Sequence, residues 1–475
     1  MAPPREQPRG PEVTLSGVVE RILWLDEETH FTIAELAPEA GDKVIILGNM
    51  SGLQCGETVD ATGSWEHHPA HGPQLRVKSF QSRLPSSVHG IRKYLGSGLI
   101  KGTGKTTILR ALCDILSAKR TRMALGAPTG RAAKRMTEAT RLPASTIHRL
   151  LKFDPALGGF TATADDPLHA DFVIIDESSM LDTKLAAALL RAIPSTAHLL
   201  LVGDVNQLPS VGAGNVLGDL IESGQAAVTR LDTVFRQGAR SGIVTVAHGI
   251  LHAETAPPEP VEDPARLDFA QDIHFVKVED PEACVAMVTK LCCEVLPRAL
   301  RLDPLRDIQV LAPMHKGTGG IQAYNQALQA RLRGKDAKPG RIQPGDKVIQ
   351  TRNNYDKLVF NGDFGVVLGQ NEEGTLLIDF DGARVELERG EQGDLHLAYA
   401  VSIHKSQGSE FPAVVLPLLR QHSIMLARNL IYTAVTRGRK QVILVGDPTA
   451  YAMAVRNAAD SRRVTSLLPR LKNLG

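Results

Sequence analysis

Long hydrophobic runs are missing from this sequence: no stretch approaches the roughly 18 consecutive apolar residues of a membrane-spanning helix, so no membrane role is expected. The opening MAPPREQPRG has no apolar core of the kind a secretory leader needs, and a soluble, cytoplasmic protein is the expectation. Cysteine is scarce too. The five present, Cys55, Cys113, Cys284, Cys292 and Cys293, are odd in number and contain no CxxC spacing, which argues against a disulfide framework or a zinc site. The adjacent Cys292 and Cys293 read as structural. Charge of one sign is lacking as well: 54 Lys and Arg against 52 Asp and Glu leave +2, so any nucleic-acid contact must come from where individual cations sit. Aromatic residues make up only 4%, which limits base stacking.

What is present divides into textures. A chain of 475 residues has room for about three domains. After a tail over 1–13, residues 14–84 give short β-rich runs (TLSGVVERI, HFTIAEL, KVIILGN, QLRVKSF) broken by Gly, Pro and Asn, the pattern of an oligonucleotide-binding-type barrel. Residues 85–101 read as a connector. From Gly102 onward apolar strands alternate with amphipathic helices, as a parallel α/β sheet requires. Phe172 to Ile175 and Leu199 to Val202 are continuous apolar runs, the mark of strands covered on both faces. A first α/β lobe is expected over 102–254, with a hairpin insert at 152–169. A second lobe is expected over 255–341 and 396–475, interrupted by a small β-barrel at 342–395. The Pro- and Glu-rich Thr255 to Asp263 reads as a hinge or surface connection.

The chemistry is concentrated in a few segments. Gly102, Thr103, Gly104, Lys105, Thr106 and Thr107 form the second half of a phosphate-binding loop: glycines turn backbone N–H groups toward phosphates, Lys105 pairs with β/γ oxygens, and Thr106 holds Mg²⁺. Ile108, Leu109, Leu112, Ile115 and Leu116 recur at helical spacing behind it, so a helix N-terminus can face the phosphates. The apolar strand ending in Asp176 and Glu177 delivers adjacent carboxylates to a strand's C-terminal edge, where open α/β sheets bind ligands. Asp176 is expected to bind magnesium and Glu177 to polarise the attacking water. Gln207 in GDVNQLP is placed to sense a γ-phosphate. Arg236 in VFRQ and Arg437 in YTAVTRGR are candidate cationic fingers, each worth roughly 10³ to 10⁵ in rate where such a role holds.

The ordered set GTGKTT, APTGRAAKR, DFVIIDESSMLD, LVGDVNQLPSVGAGNVL, VFRQ, SIHKSQGSEF and NLIYTAVTRGRK resembles the RecD-type branch of superfamily-one DNA helicases. GVVERILWLDEETHFTIAEL, GNMSGLQCGETV and YLGSGLIKG are similar to the opening of its longer, stand-alone members. The resemblance implies an α/β architecture of two RecA-like P-loop lobes with an N-terminal OB-like barrel and a small β-barrel inserted in the second lobe. It implies ATP and Mg²⁺ as cofactors, 5′ to 3′ movement on single-stranded DNA, unwinding at duplex junctions, and a role in repair or recombination. Lys105, Thr106, Asp176, Glu177, Gln207, Arg236 and Arg437 match the ATP-handling positions; Gly408 and Glu410 match positions near the nucleotide and the closure of the second lobe. Pro128, Thr129, His148, His404 and Lys405 match segments lining the DNA track, and 152–169 resembles a strand-separating pin. A monomer is compatible with all of this.

The sequence departs from the resemblance at one place. In the stand-alone branch a helix-hairpin-helix region, the first motor strand and an upstream nucleotide-binding segment precede the phosphate loop. Here YLGSGLIKGTGKTT runs straight through, with Leu99 where the full loop pattern has glycine. Gly96 and Gly98 suit a buried strand poorly, so weakened ATP affinity is expected. The rival reading is an ATPase-impaired relative that only binds DNA or a partner. A relaxase-associated helicase would need a tyrosine cluster with a histidine-rich metal motif, and a small-molecule kinase would not need QLP, SIHKSQG or two distant arginines.

Overall fold

Alternating apolar residues on the first strands close a barrel before any helix forms. The computed structural model describes residues 12–26, 29–38, 42–53, 57–68, 72–83, 105–231 except Pro155, 241–458 except Ala337 and Tyr355, Arg463, and 465–473. The described residues fall into two bodies, one running to Thr121 and one from Arg122 onward.

In the first body, β1 (Val13–Leu25), β2 (Phe31–Pro38), β3 (Val44–Asn49), β4 (Thr58–His68) and β5 (Gly72–Arg83) form a closed barrel in the order β1-β2-β3-β5-β4. Val19, Leu36, Ile46, Val59 and Leu75 fill its interior. Register shifts between Val19 and Arg21 and between Ile22 and Trp24 coil β1, so that its first half pairs with β4 and its second with β2. At Gly63 a Cβ would sit 2.0 Å from the Arg76 carbonyl oxygen, so the β4–β5 crossing requires glycine there. The helix α1 (Lys105–Ala118) belongs to this body and buries Leu109, Ala111, Cys113 and Ile115.

The second body carries two parallel sheets. In the smaller, β6 (Met123–Ala127), β7 (Ala144–Thr146), β8 (Phe172–Ile175) and β9 (His198–Leu201) lie in the order β9-β8-β6-β7, all parallel. Among the described residues no strand pairs with the outer edge of β9, and Leu199, Leu200 and Leu201 are only half-buried there. The insert expected at 152–169 contains a hairpin pairing Phe153–Asp154 with Gly159–Phe160.

The larger sheet has six parallel strands: Pro260–Val261, Ile273–Lys277, Gly438–Gly446, Phe411–Leu418, Ile308–Ala312 and Ala400–Ser402, in that spatial order. Its apolar runs are buried on both faces: Val414, Leu416, Val442 and Leu444 enter one core, and Ala413, Val415, Ile443 and Val445 the other. Two sequence expectations shift. The helix Gly242–Leu251, assigned above to the first lobe, buries Ile243, Ala247 and Ile250 in the core of this larger sheet. Part of the expected hinge is the edge strand Pro260–Val261, paired with Phe275 and Val276.

The insert in this lobe is an antiparallel sheet of Ala383–Leu387, Leu376–Phe380, Phe364–Gln370, Lys347–Gln350 and Leu395–Leu397, around Val348, Val367, Ile378 and Leu387. Lys347 is 4% exposed and donates from Nζ to the Ile308 carbonyl at 2.9 Å. Burial, with Arg131 adding repulsion, pushes its amine down to about 7. In the unfolded chain the amine titrates near 10.4, so between these values the unfolded state holds more protons and stability rises with pH. Lys347→Met should therefore raise the melting temperature at pH 6, by about 2–4 °C per kcal/mol gained, with the gain shrinking toward pH 10. Parallel melting curves for parent and variant across that range would contradict it.

No helix among the described residues is long and apolar enough to cross a membrane.

Candidate nucleotide and DNA site

Strand β8 is four apolar residues long, and the acidic turn after it is fixed by backbone hydrogen bonds. The Asp176 N–H donates to the Gly126 carbonyl at 3.0 Å and the Ser178 N–H to the Val202 carbonyl at 2.8 Å, tying the turn to the strands on either side. Between these ties Glu177 adopts φ +51°, the left-handed region, which costs a non-glycine residue about 1–3 kcal/mol. Its N–H donates to Asp176 Oδ1 at 2.8 Å, and its Oε2 is buried without a hydrogen-bond partner. Backbone strain and a buried carboxylate oxygen without a partner thus coincide at one half-buried residue.

After β9 the chain enters Gly203–Pro209, which the larger lobe holds through the Asp204 side chain and the Leu208 backbone. Gln207, 7% exposed, donates from Nε2 to Asp204 Oδ2 at 3.3 Å, and the Tyr432 hydroxyl donates to the same oxygen at 3.0 Å. The Leu208 N–H donates to Thr433 Oγ1 at 2.8 Å, and Gln407 Nε2 donates to the Leu208 carbonyl at 2.7 Å. Arg437 follows the helix Arg428–Val435 and is 4% exposed. It donates from Nε to the Thr433 carbonyl at 3.2 Å and from Nη1 to the Ser409 carbonyl at 3.1 Å. Burial pushes its guanidinium below the ordinary value, opposed by Glu177 first and then by Glu410 and Asp204. A buried cation thus lies within electrostatic reach of Glu177, on the acidic turn of the other sheet. Glu177, Gln207 and Arg437 are brought into one electrostatic neighbourhood, with Asp176 beside them.

The expected DNA-track residues are distributed differently. Thr129 caps the helix Gly130–Thr140, its Oγ1 accepting the Ala132 N–H at 3.2 Å, with half-buried Pro128 before it. Gly408 stands at φ +71°, and a Cβ there would meet Thr129 Oγ1 at 3.2 Å and Ala132 Cβ at 3.3 Å, so this glycine seats the SQGSE loop on the start of that helix. His404 is exposed and Lys405 half-buried, with burial lowering the Lys405 amine. His148 packs on the hairpin, its ring 5.8 Å from Phe153 and 5.6 Å from Phe160. Burial lowers its pKa against the opposing pull of Asp182.

Lys105, Thr106 and Thr107 occupy the first turn of α1; Thr106 is exposed and the other two half-buried. Gly102, Thr103, Gly104 and Arg236, with the stretch Tyr94 to Ile100, lie outside the described residues. Sequence reasoning missed Asp204, Gln407, Thr433 and Arg135. All four lie inside quoted motifs, but nothing local signals that they bond across more than 200 positions or nearly so.

Family models match over most of the chain: the OB-fold domain of the ATP-dependent DNA helicase YrrC at 12–85, an AAA domain at 99–213, the SH3 domain of ATP-dependent RecD-like DNA helicases at 324–380, and a UvrD-like helicase C-terminal domain at 397–445. The ATP-dependent RecD2 DNA helicase of Deinococcus radiodurans is 38% identical over 376 residues, which cover 78% of this chain and 49% of that protein. The RecBCD enzyme subunit RecD of Mycobacterium tuberculosis is 31% identical over 416 residues, covering 79% of this chain and 70% of that one. Among solved structures, the Bacteroides Pif1 helicase in complex with ADP-AlF3 and ssDNA matches with a TM-score of 0.44 at 16% identity, covering 72% of this chain and 86% of that one. The fold is α/β, with RecA-like motor lobes, an N-terminal OB-fold domain and an SH3-like insert. The chain belongs to the RecD family of superfamily-one DNA helicases. It spans about half the length of its Deinococcus relative.

Proposed function

We propose that this chain is an ATP-driven motor that moves 5′ to 3′ along single-stranded DNA and opens duplex junctions, in the cytoplasm, in DNA repair or recombination. The observation that carries the reading is the buried Arg437, held on the Thr433 and Ser409 carbonyls within electrostatic reach of Glu177, whose Oε2 has no hydrogen-bond partner. That arrangement fits a magnesium-bound triphosphate: an orphaned carboxylate oxygen can orient water, and a desolvated guanidinium can stabilise charge on a transferring phosphoryl group. ATP with Mg²⁺ supplies the labile γ-phosphate and its counter-cation.

The resemblance assigns the phosphates to Lys105 and the backbone of Gly102 to Thr107, the metal to Thr106 and Asp176, and a second cationic contact to Arg236. Gln207, tied through Asp204 to Tyr432, is suited to report the state of the γ-phosphate to the larger lobe. DNA is assigned to Pro128, Thr129, His148, His404 and Lys405, with mostly backbone contacts and therefore strong salt sensitivity. The hairpin at 153–160 is the proposed pin: Leu157 is 73% exposed and Phe153 is 38% exposed, so an apolar tip is available to displace a base pair.

The weakened nucleotide affinity expected from Gly96, Gly98 and Leu99 ahead of the phosphate loop belongs to the same reading. The internal gap relative to the stand-alone branch is part of this proposal. The test is ATP turnover by the purified chain with and without oligo(dT). Turnover should be stimulated by the oligonucleotide, show a raised KM for ATP and vanish in Lys105→Ala. Turnover indifferent to that substitution would sink the motor reading and leave a DNA- or partner-binding protein.

A further inference from the structure

The helix Gly130–Thr140 starts at the segment assigned to DNA, yet one face of it is fastened to the other lobe. Arg131 lies over the Phe364 ring, 4.8 Å from its centroid, and over the Phe411 ring at 5.4 Å. Lys134 donates to the Asp381 carbonyl at 3.2 Å. Arg135 donates from Nη1 to the Gly408 carbonyl at 3.2 Å and pairs through Nη2 with Glu410 Oε1 at 2.9 Å. Positions 131, 134 and 135 share a face at helical spacing, so the first half of the helix is docked.

Of the three, Arg135 is the one that reaches the Gly408–Glu410 loop, and that loop also receives Arg437, through the Ser409 carbonyl at 3.1 Å. Two arginines from opposite ends of the motif order therefore grip three consecutive residues. One is carried by the helix that Thr129 caps; the other lies within electrostatic reach of Glu177. Glu410 has a second cation, Arg439 at 3.8 Å, so its carboxylate stays charge-compensated if Arg135 lets go.

The geometry points to Arg135 as a positioning residue that transmits occupancy of the DNA segment at Pro128–Thr129 to the Gly408–Glu410 loop and so to Arg437. This rests on the proposed function for what the two ends bind. Arg135 is assigned contact with neither the nucleotide nor the DNA. It converts a small displacement of the helix start into a displacement of the carbonyl and carboxylate it holds, and the buried Arg437 follows because its Nη1 is bonded to the residue between them. A guanidinium serves because it can hold a carbonyl and a carboxylate at once through separate nitrogens, which an ammonium does with less geometric control.

The experiment is hydrogen exchange on the peptide spanning 403–411 in the full chain, with and without oligo(dT), in the parent, Arg135→Gln and Arg135→Lys. Fluorescence anisotropy measures oligo(dT) binding separately. In the parent, oligo(dT) should slow exchange in that peptide. Arg135→Gln should bind oligo(dT) with unchanged affinity and an unchanged melting temperature but lose the slowing, and Arg135→Lys should restore part of it. A Gln variant that keeps the parental response overturns the inference, as does a parent that binds oligo(dT) without any response in 403–411. A Gln variant whose DNA affinity falls in step with the response overturns it too, since Arg135 would then be a DNA contact. A parent that binds no oligo(dT) at all fails in the anisotropy arm, which removes the proposed function and this inference with it.

Discussion

Arg437→Gln is expected to lower oligo(dT)-stimulated ATP turnover by about 10³-fold or more, the scale set by removal of a cationic finger. The side chain is buried to 4% exposure and its Nε and Nη1 are committed to the Thr433 and Ser409 carbonyls, so its position is set before any ligand arrives. Such preorganisation is what makes a charge effective toward a transition state, because no solvent or side chain must rearrange when the charge develops. Glutamine can keep one of the two carbonyl contacts and loses the charge. Lysine keeps the charge but cannot make both contacts in one plane, so Arg437→Lys should recover little. The defect should fall on kcat with little change in KM for ATP, since the interaction strengthens as charge moves onto the phosphoryl oxygens. Steady-state turnover, with circular dichroism to verify folding, checks this; turnover within a few-fold of the parent would remove Arg437 from the chemistry.

Glu177→Gln is expected to lower turnover by about 10² to 10⁴-fold, the range for loss of a group that handles the proton of an attacking water, while nucleotide binding persists. The substitution is nearly isosteric, and the hydrogen bond that Glu177 donates uses its backbone N–H to Asp176 Oδ1, which glutamine retains. What is lost is the acceptor character of the buried, unpartnered Oε2 and the negative charge that opposes the burial cost of Arg437. The second loss predicts a signature: with its counter-charge gone, the buried guanidinium gains more from an incoming polyphosphate, so affinity for ATP should rise as turnover falls. Equilibrium binding of a fluorescent ATP analogue beside single-turnover hydrolysis separates the two effects. Equal loss of affinity and of turnover would assign Glu177 to binding alone.

Sequence and structure meet wherever the governing physics is local. The runs at Phe172 and Leu199 announce strands because continuous apolar residues of that length have to be covered on both sides, and the strands appear at 172–175 and 198–201. The barrel announces itself through alternation in 14–84. The helix Gly242–Leu251 is different: its periodicity shows that it buries a face but carries no information about which sheet receives it, and it packs in the larger lobe. Pro260–Val261 has the composition of a loop and still pairs, because an edge position tolerates proline. His148 matches a lining position, and its aromatic neighbours Phe153 and Phe160 come from a hairpin whose fold-back spacing alone does not fix. The least legible features are the cross-lobe bonds, such as Gln407 to the Leu208 carbonyl, 199 positions apart. No periodicity reaches that far, and only the packed lobes bring such partners together.

The chain has two tryptophans, Trp24 and Trp65, and both stand on the N-terminal barrel, 50% and 40% exposed. From Arg122 onward there is no indole at all. Indole emission therefore reports on the barrel while the motor stays dark, so emission follows the barrel alone and backbone ellipticity on the same heated sample follows the whole chain; a barrel that melts apart from the rest shows as two curves that do not coincide, without a label being attached.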